Sequence, residues 1–297
     1  MPTPVINPNL DLEPLNNEEI LKIARKQGED PDRICSIIDE FRNIIYERED
    51  CTPHRTDTEF LIKFLRARFW RIESSYKLLC NYCNFRNANR DLYEKLHPLD
   101  LKDIGEADVV TVTPYKDQLG RRIMIYRFGN WIPSKVPVDD ILKTTLLLLE
   151  MGALEPSFQV LGGVGIIDLT NLSLRQVFHL TPSVAQKMLA LIVTSLPIRT
   201  NAIHIVFQNW VFNTAFSIFK PFLSSRMRER IYIHGDDMSS LHKHILPENL
   251  PKRYGGIHDD CPYTIWVENL LKNEKILREL ESLGYVVHSR NLLLNKN

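Results

Sequence analysis

No stretch of this chain approaches the ~20 apolar residues that a membrane-spanning helix needs. The longest run, Leu146-Leu147-Leu148-Leu149, is bounded by Thr145 and Glu150. The proline-rich start, Met1 to Leu15, lacks an apolar h-region after a basic opening, so no secretory signal is expected. Pro2 stands where N-myristoylation requires glycine, and the C-terminus carries no prenylation box. Cysteine is scarce and odd in number, five in 297 residues, which excludes a complete disulfide framework and fits reduced thiols in the cytoplasm. Net charge is zero, with 37 basic and 37 acidic residues, so no global field draws the chain to nucleic acid. Any anion site must be a local patch. No internal repeat is visible.

Catalytic signatures are missing as well. There is no Gly-Lys-Ser/Thr phosphate loop and no Gly-x-Ser-x-Gly elbow. Gly162-Gly163-Val164-Gly165 precedes a strand, whereas a dinucleotide loop follows one and opens a helix. His242-x-His244 has no partner pair, and on a helix the two rings diverge, so no metal is expected. Cys80-x-x-Cys83 lies in a helical pattern without a second Cys or His pair and reads as core thiols. Asp168, at the end of a strand beside Thr170 and Asn171, reads as a cap rather than a general base. The expectation is a chain that is not an enzyme and carries no cofactor.

What is present is apolar patterning at 44% hydrophobic content. After a flexible tail over 1–15, residues 16–97 read as a helical unit. Asn16 or Asn17 caps its first helix, Pro31 starts a second, and Asp57 or Thr56 caps a third that carries Phe60, Leu61, Phe64 and Leu65. Residues 98–260 change character. Val109–Thr113 and Arg122–Phe128 flank turn chemistry and read as a hairpin. A leucine-rich helix over Val138–Leu154 follows. Strands at Val164–Asp168, Ala202–Val206 and Arg230–Ile233 then alternate with helices, which implies a largely parallel sheet in an α/β fold. The final portion, 261–297, is read as a helix over Tyr263–Leu283 and a tail.

The segment from Phe207 to Arg230 is the most distinctive. Val211, Ala215 and Ile218 recur at helical spacing, as do Phe212, Phe216 and Phe219. Pro221 ends or kinks the helix, and Arg226, Arg228 and Arg230 follow at alternate positions. By itself the segment reads as a buried core helix with a solvated basic end; a membrane-touching lid is the alternative. The Leu146–Leu149 run and Met188–Val193 are also apolar on more than one face, and a lipid-sized cavity between sheet and helices would use those faces. Polar lining would be sparse, drawn from Tyr126, Thr145 and Thr194.

Several motifs in one order carry a family resemblance. They are Phe64-Leu65-Arg66-Ala67-Arg68, Gly165-Ile166-Ile167-Asp168-Leu169, Thr181-Pro182-Ser183-Val184-Ala185, Ile203-His204-Ile205-Val206, Phe219-Lys220-Pro221-Phe222-Leu223, Arg230-Ile231-Tyr232-Ile233-His234-Gly235 and Leu250-Pro251-Lys252-Arg253-Tyr254-Gly255-Gly256. Together they resemble the CRAL-TRIO lipid-binding family over roughly residues 15–275, nearest its tocopherol-transfer branch, with the retinaldehyde-binding and clavesin branches related. The resemblance implies an N-terminal helical domain, an α/β domain with a sheet floor and helical walls, and a mobile helical gate over one hydrophobic ligand. It places pocket positions on Tyr126, Trp131, Leu142, Thr145, Leu149, Ile167, Leu172, Leu174, Met188, Leu191, Ile192, Leu196, Ile203, Val211 and Ala215. It places phosphoinositide contacts on Arg68, Arg199, Arg226 and Arg230, with Lys220 and Arg228 nearby, and membrane contacts of the gate on Val211, Phe212, Ala215 and Ile218.

Three positions depart from the tocopherol branch: Asn201, where that branch is basic, and Leu149 and Leu172, where it has serine and tryptophan. The resemblance therefore implies a cytoplasmic carrier that meets phosphoinositide-containing membranes transiently. Its cargo is a tocopherol, retinoid, carotenoid or phospholipid. The alternative is a phosphoinositide-sensing membrane-trafficking adaptor of clavesin type.

Overall fold

Local chemistry sets the helical N-terminal unit. The computed structural model describes residues 8–287; the parts of the expected tails at 1–7 and 288–297 lie outside the described residues. Helix α1 (Glu18–Lys26) starts where Asn17 Oδ1 accepts from the backbone N–H groups of Glu19 and Ile20, at 2.9 and 3.2 Å. Its acids lie in the first turn and its bases in the last, as the helix dipole favours. Helix α2 (Ile34–Arg48) begins three residues after Pro31, because Pro31-Asp32-Arg33 forms a turn. Helix α3 (Thr58–Ala67) is capped by Asp57, whose carboxyl is lowered to about 2, chiefly by its hydrogen bond from Arg55. Helix α4 (Ile72–Ala88) completes the unit, burying Leu78, Leu79, Tyr82 and Phe85.

The short helix α5 (Lys102–Glu106) leads into five strands, β1 (Val110–Lys116), β2 (Arg122–Arg127), β3 (Gly163–Asp168), β4 (Thr200–Val206) and β5 (Ile231–Gly235). They pair in sequence order; β1 and β2 are antiparallel and the remaining neighbours parallel. Between them lie α6 (Val138–Gly152), α7 (Pro156–Leu161), α8 (Leu174–Val177), α9 (Pro182–Leu189), α10 (Phe212–Phe219) and α11 (Ser225–Arg228), and α12 (Met238–His242) follows β5. The α/β class and the helical N-terminal unit agree with expectation. Gly162 explains the glycine run. Its φ is +72°, and a Cβ there would meet the Arg199 carbonyl at 2.6 Å, so the glycine admits β4 beside α7.

Strand alternation divides the sheet into two faces. Ile123, Ile125, Val164, Ile166, Ala202 and Val206 pack outward against Leu241, Ile245, Leu250 and Tyr254. Met124, Tyr126, Gly165, Ile167, Ile203 and Ile205 belong to the other face, beneath α6, α9 and α10. Asp168 caps no helix, since Ser173 takes the N-cap of α8; it fixes the turn after β3 instead. Its Oδ1 accepts from Thr170 N–H at 2.9 Å, and its Oδ2 accepts from Tyr254 Oη at 3.0 Å.

Three helices differ from their sequence patterns. The apolar segment from Phe207 becomes helical only at Phe212. Phe207 has a φ of +54°, and Asn209 Oδ1 takes the Val211 N–H at 3.0 Å, which fixes a turn first. The run after Pro182 is α-helical to Leu189 and then widens into a π-type turn over Ala190–Ser195. The C-terminal pattern splits into α13 (Tyr263–Leu270) and α14 (Glu274–Ser282), because Asn273 caps the second helix through Lys275 and Ile276 N–H. Within the segment expected as a flexible tail, Pro8 and Leu10 are buried against the body.

Buried charge joins these layers. Arg86 on α4 donates to Glu150 on α6 and to the Leu283 carbonyl, and its guanidinium lies 3.7 Å from the Tyr93 ring centroid. Tyr285 Oη donates to the other Glu150 oxygen at 2.7 Å. Burial pushes the Glu150 carboxyl above its ordinary range, and Arg86 and Tyr285 oppose that shift. Glu150→Ala leaves Arg86 buried without its counter-charge and should lower unfolding free energy by about 3–5 kcal/mol. The double variant Arg86→Met/Glu150→Leu should recover most of that loss in urea unfolding, since two apolar groups need no counter-charge.

Candidate functional site: an apolar cavity beside a basic cleft

The inner sheet face is not fully covered. Two chambers lie between it and the helices, of about 110 and 130 Å³. The first lies at the N-terminal ends of the parallel strands, against Arg122, Gly163 and Thr200, under Leu148, Leu149 and Met151 of α6. The second lies at their C-terminal ends, against Ile167, Leu169 and Ile205, under Met188, Phe212, Ala215, Phe216 and Phe219. Tyr126, Ile167, Ile192 and Ile203 line both, so the chambers adjoin across these side chains along the strands. The lining is overwhelmingly apolar, as in sites for hydrophobic ligands.

Of the expected pocket positions, Tyr126, Leu149, Ile167, Leu172, Met188, Ile192, Ile203 and Ala215 line this cavity. Thr145 sits behind it, where its hydroxyl and that of Tyr126 are hydrogen-bonded at 3.0 Å. That pair satisfies itself and leaves the wall without a free polar handle. Trp131 is buried elsewhere, its indole N–H donating to the Val136 carbonyl at 2.8 Å. Leu142, Leu191 and Val211 fill the packed core rather than the cavity wall, Leu196 faces a small separate void, and Leu174 opens α8 outside the lining. Sequence reasoning missed Leu10, Val112, Trp266 and Leu270, which reach the cavity from distant parts of the chain. It also missed Met124, although the two-residue period placed Met124 on the same face as Tyr126.

The row of lid helix α10 expected to meet a membrane on opening faces inward in this conformation. Val211, Phe212 and Ala215 are buried and Ile218 is half-buried, while Asn213, Thr214 and Ser217 face solvent. The exposed apolar groups flank it instead: Trp210 at 72% exposure, Phe178 at 79%, and Phe222. The inward row covers the second chamber. The outward row is polar because it has no apolar neighbour in this conformation.

A cleft adjoins the cavity through shared walls at Ile192, Ile198, Arg199 and Thr200. Arg68, Arg199, Arg226 and Arg230 line it together, as expected, along with Arg71 and Lys77, which were not foreseen although Arg71 lies three positions after Arg68, across the turn between α3 and α4. Lys220 and Arg228 stand outside the lining, and Asn201 lies within it. No Asp or Glu lines the cleft among the described residues, and none of its six cations forms an ion pair there. Arg199 stacks 4.8 Å from the Phe69 ring, donates to the Gln159 carbonyl at 3.3 Å, and leaves its buried Nε unpartnered. Burial, then Arg230 and Arg68, lowers its guanidinium to about 10. Arg230 donates to the Thr200 carbonyl at 2.9 Å. Guanidinium forks without carboxylates are matched to a polyanion such as a phosphate.

The other candidates fall outside the site. His242 Nε2 lies 2.8 Å from the Tyr254 carbonyl, and no group of three His, Cys, Asp or Glu side chains among the described residues could hold a metal ion. Cys80 contacts Cys51 at 3.3 Å within the helical unit. Among the described residues, no helix is long and apolar enough to cross a membrane.

Comparison with known proteins gives concordant matches. A family model described as the CRAL/TRIO domain matches residues 106–256. The chain is 33% identical to human Clavesin-2 over 266 residues, 88% of this chain and 80% of that protein. It is 34% identical to Clavesin-1 of Xenopus laevis over 259 residues, 86% of this chain and 78% of that protein. A crystal structure of Sfh5 overlays with a TM-score of 0.47 at 16% identity, covering 90% of this chain and 100% of that one, too loosely to transfer any residue.

The cleft makes a two-signed prediction. Arg199→Met removes a half-buried charge that has no counter-ion, so the unliganded fold should gain about 1 kcal/mol in urea unfolding. The same variant should bind inositol trisphosphate about tenfold more weakly, because a charge-assisted hydrogen bond contributes ~1.5–3 kcal/mol. Calorimetric titration and urea midpoints read the two effects separately.

Proposed function

The chain belongs to the CRAL/TRIO domain family of lipid-binding and lipid-transfer proteins, and from that premise we propose that it carries one hydrophobic molecule and exchanges it at anionic membranes. The observation that carries this reading is the pair of adjoining apolar chambers, with α10 closing one and the basic cleft adjoining the other. The mechanism involves no bond chemistry. Cargo of tocopherol, retinoid, carotenoid or other lipid type is held by burial alone, at roughly 25 cal/mol per Å² of apolar surface removed from water. The Tyr126–Thr145 pair is already satisfied, so it imposes shape rather than a required hydrogen bond. Leu149 and Leu172 both line the cavity. Leu149 narrows the first chamber relative to serine, and Leu172 leaves the second roomier than tryptophan would, which supports a pocket shaped differently from that of the tocopherol branch.

At a membrane, phosphoinositide headgroups enter the cleft on Arg68, Arg71, Lys77, Arg199, Arg226 and Arg230. Trp210, Phe178 and Phe222 seat in the interface. Opening turns the inward row, Val211, Phe212, Ala215 and Ile218, from cargo to acyl chains. Headgroup binding favours the open state only through higher affinity for that state. A second reading, a phosphoinositide-sensing adaptor, draws on the same six cations and makes headgroup recognition the main task.

Vesicle transfer separates the two. Each cation near anionic lipid contributes about 1 kcal/mol. Arg226→Ala/Arg230→Ala should therefore slow transfer of a fluorescent lipid to phosphatidylinositol-bisphosphate vesicles by ~10-fold or more. Equilibrium cargo binding in the absence of vesicles should be unchanged. Loss of cargo binding in the double variant would overturn the assignment of the cleft to headgroups. Normal transfer with loss of vesicle recruitment would favour the adaptor.

A further inference from the structure

The chamber at the N-terminal ends of the strands is closed by no part of the lid. Its outer side is met by the chain's own N-terminal segment. Residues 8–16 run without helix or strand structure, and Pro8 and Leu10 turn inward while Asn9 and Asp11 turn outward. Leu10 reaches the cavity wall together with Val112, Trp266 and Leu270. Leu12 packs on the same core, and Leu15 lies in a second patch with Ala24, Val160 and Leu161.

This placement is anchored. The Asn9 carbonyl accepts from Arg122 Nη2 at 2.9 Å, and the Pro8 carbonyl accepts from Asn269 Nδ2 at 3.3 Å. Arg122 is itself fixed by Glu155, with Nε to Oε2 at 2.8 Å, and its guanidinium lies 5.4 Å from the Trp266 ring centroid. The anchors are therefore rigid, whereas the segment adds only two backbone acceptors and a few apolar side chains. A tether of that strength can detach without unfolding the sheet.

We infer that residues 8–15 form a second closure of the cavity, opposite the α10 lid, and that Leu10 is a cargo-contacting residue that sets the usable length of the chamber. This inference rests on the carrier reading. Two adjoining chambers closed at opposite ends let the lid control exchange at membranes while the strap prevents leakage into water at the other end. A larger side chain at position 10 shortens the cavity and a smaller one lengthens it.

The test uses the full chain loaded with cis-parinaric acid, an apolar fluorescent chain. Leu10→Ala and Leu10→Asp should raise its dissociation rate into detergent-free buffer containing acceptor vesicles. The expected increase is about tenfold for Leu10→Asp, which removes an apolar side chain from the mouth and adds a charge that stays in water. A second measurement requires no variant. A long-chain fatty acid with a terminal diazirine, photolysed in the intact protein, should label the peptide containing residues 8–15. If the intact chain takes up no parinaric acid, the carrier reading fails and the strap fails with it. If uptake is normal but dissociation is unchanged in both variants, or labelling falls only on lid peptides, the strap alone is overturned.

Discussion

Buried ion pairs between layers are the constraint on which the rest of the molecule depends. An open cavity destabilises a protein, because lining atoms lose their packing partners. Helices over an unfilled space would collapse onto the sheet unless something else fixed their distance. Here Glu155, fully buried at the start of α7, is held by Arg122 of β2 at 2.8 Å and Lys116 of β1 at 2.5 Å. Arg86 and Glu150 join α4 to α6, Lys63 and Glu279 join α3 to α14 at 2.7 Å, and Arg66 and Glu29 join α3 to the loop after α1 at 2.6 Å. Burial pushes Glu155 and Glu279 up, yet their cationic partners outweigh it and leave both carboxyls below the ordinary range. Directional pairs of this kind tolerate an empty interior, since their energy depends on position rather than on filling space.

The same accounting explains why the cleft stands out. The fully buried cations Lys63, Arg86, Arg122 and Arg127 each have a carboxylate, whereas half-buried Arg68, Arg199 and Arg230 and exposed Arg71, Lys77 and Arg226 have none among the described residues. This unpaired set lies where the wall of the first chamber meets the cleft. Arg199 contributes to both walls, so an anion that draws its guanidinium outward also perturbs the first chamber. On the carrier reading, a molecule in the chamber and an anion in the cleft would be coupled through shared atoms rather than at a distance.

Much of this was legible in the residues. The alternation of strands and helices after Pro98 gave the α/β class, and the caps at Asn17 and Asp57 placed two helices. The motif order gave the cavity and the clustering of Arg68, Arg199, Arg226 and Arg230. Other features were not legible because they arise from contacts across the chain. Leu10 and Trp266 are 256 positions apart yet share one wall, and no local pattern encodes that. Two apolar rows at helical spacing do not by themselves say which of them faces in. Phe212 and Ala215 face the cavity, whereas Trp210 and Phe222, just beyond the helix ends, carry the exposed apolar surface. Asn209 and Asn273 ended or began helices that apolar periodicity alone would have extended, since periodicity is blind to a side chain competing for a backbone N–H.

The central claim is that the cavity holds one apolar molecule. Non-denaturing mass spectrometry of the full chain, purified without detergent, tests it most directly. The account predicts a single adduct of lipid mass at one-to-one stoichiometry that disappears on denaturation and that Ile203→Trp, which fills the shared middle of the two chambers, abolishes. A bare protein mass that stays bare after incubation with a panel of tocopherols, retinoids, carotenoids and phospholipids would contradict it.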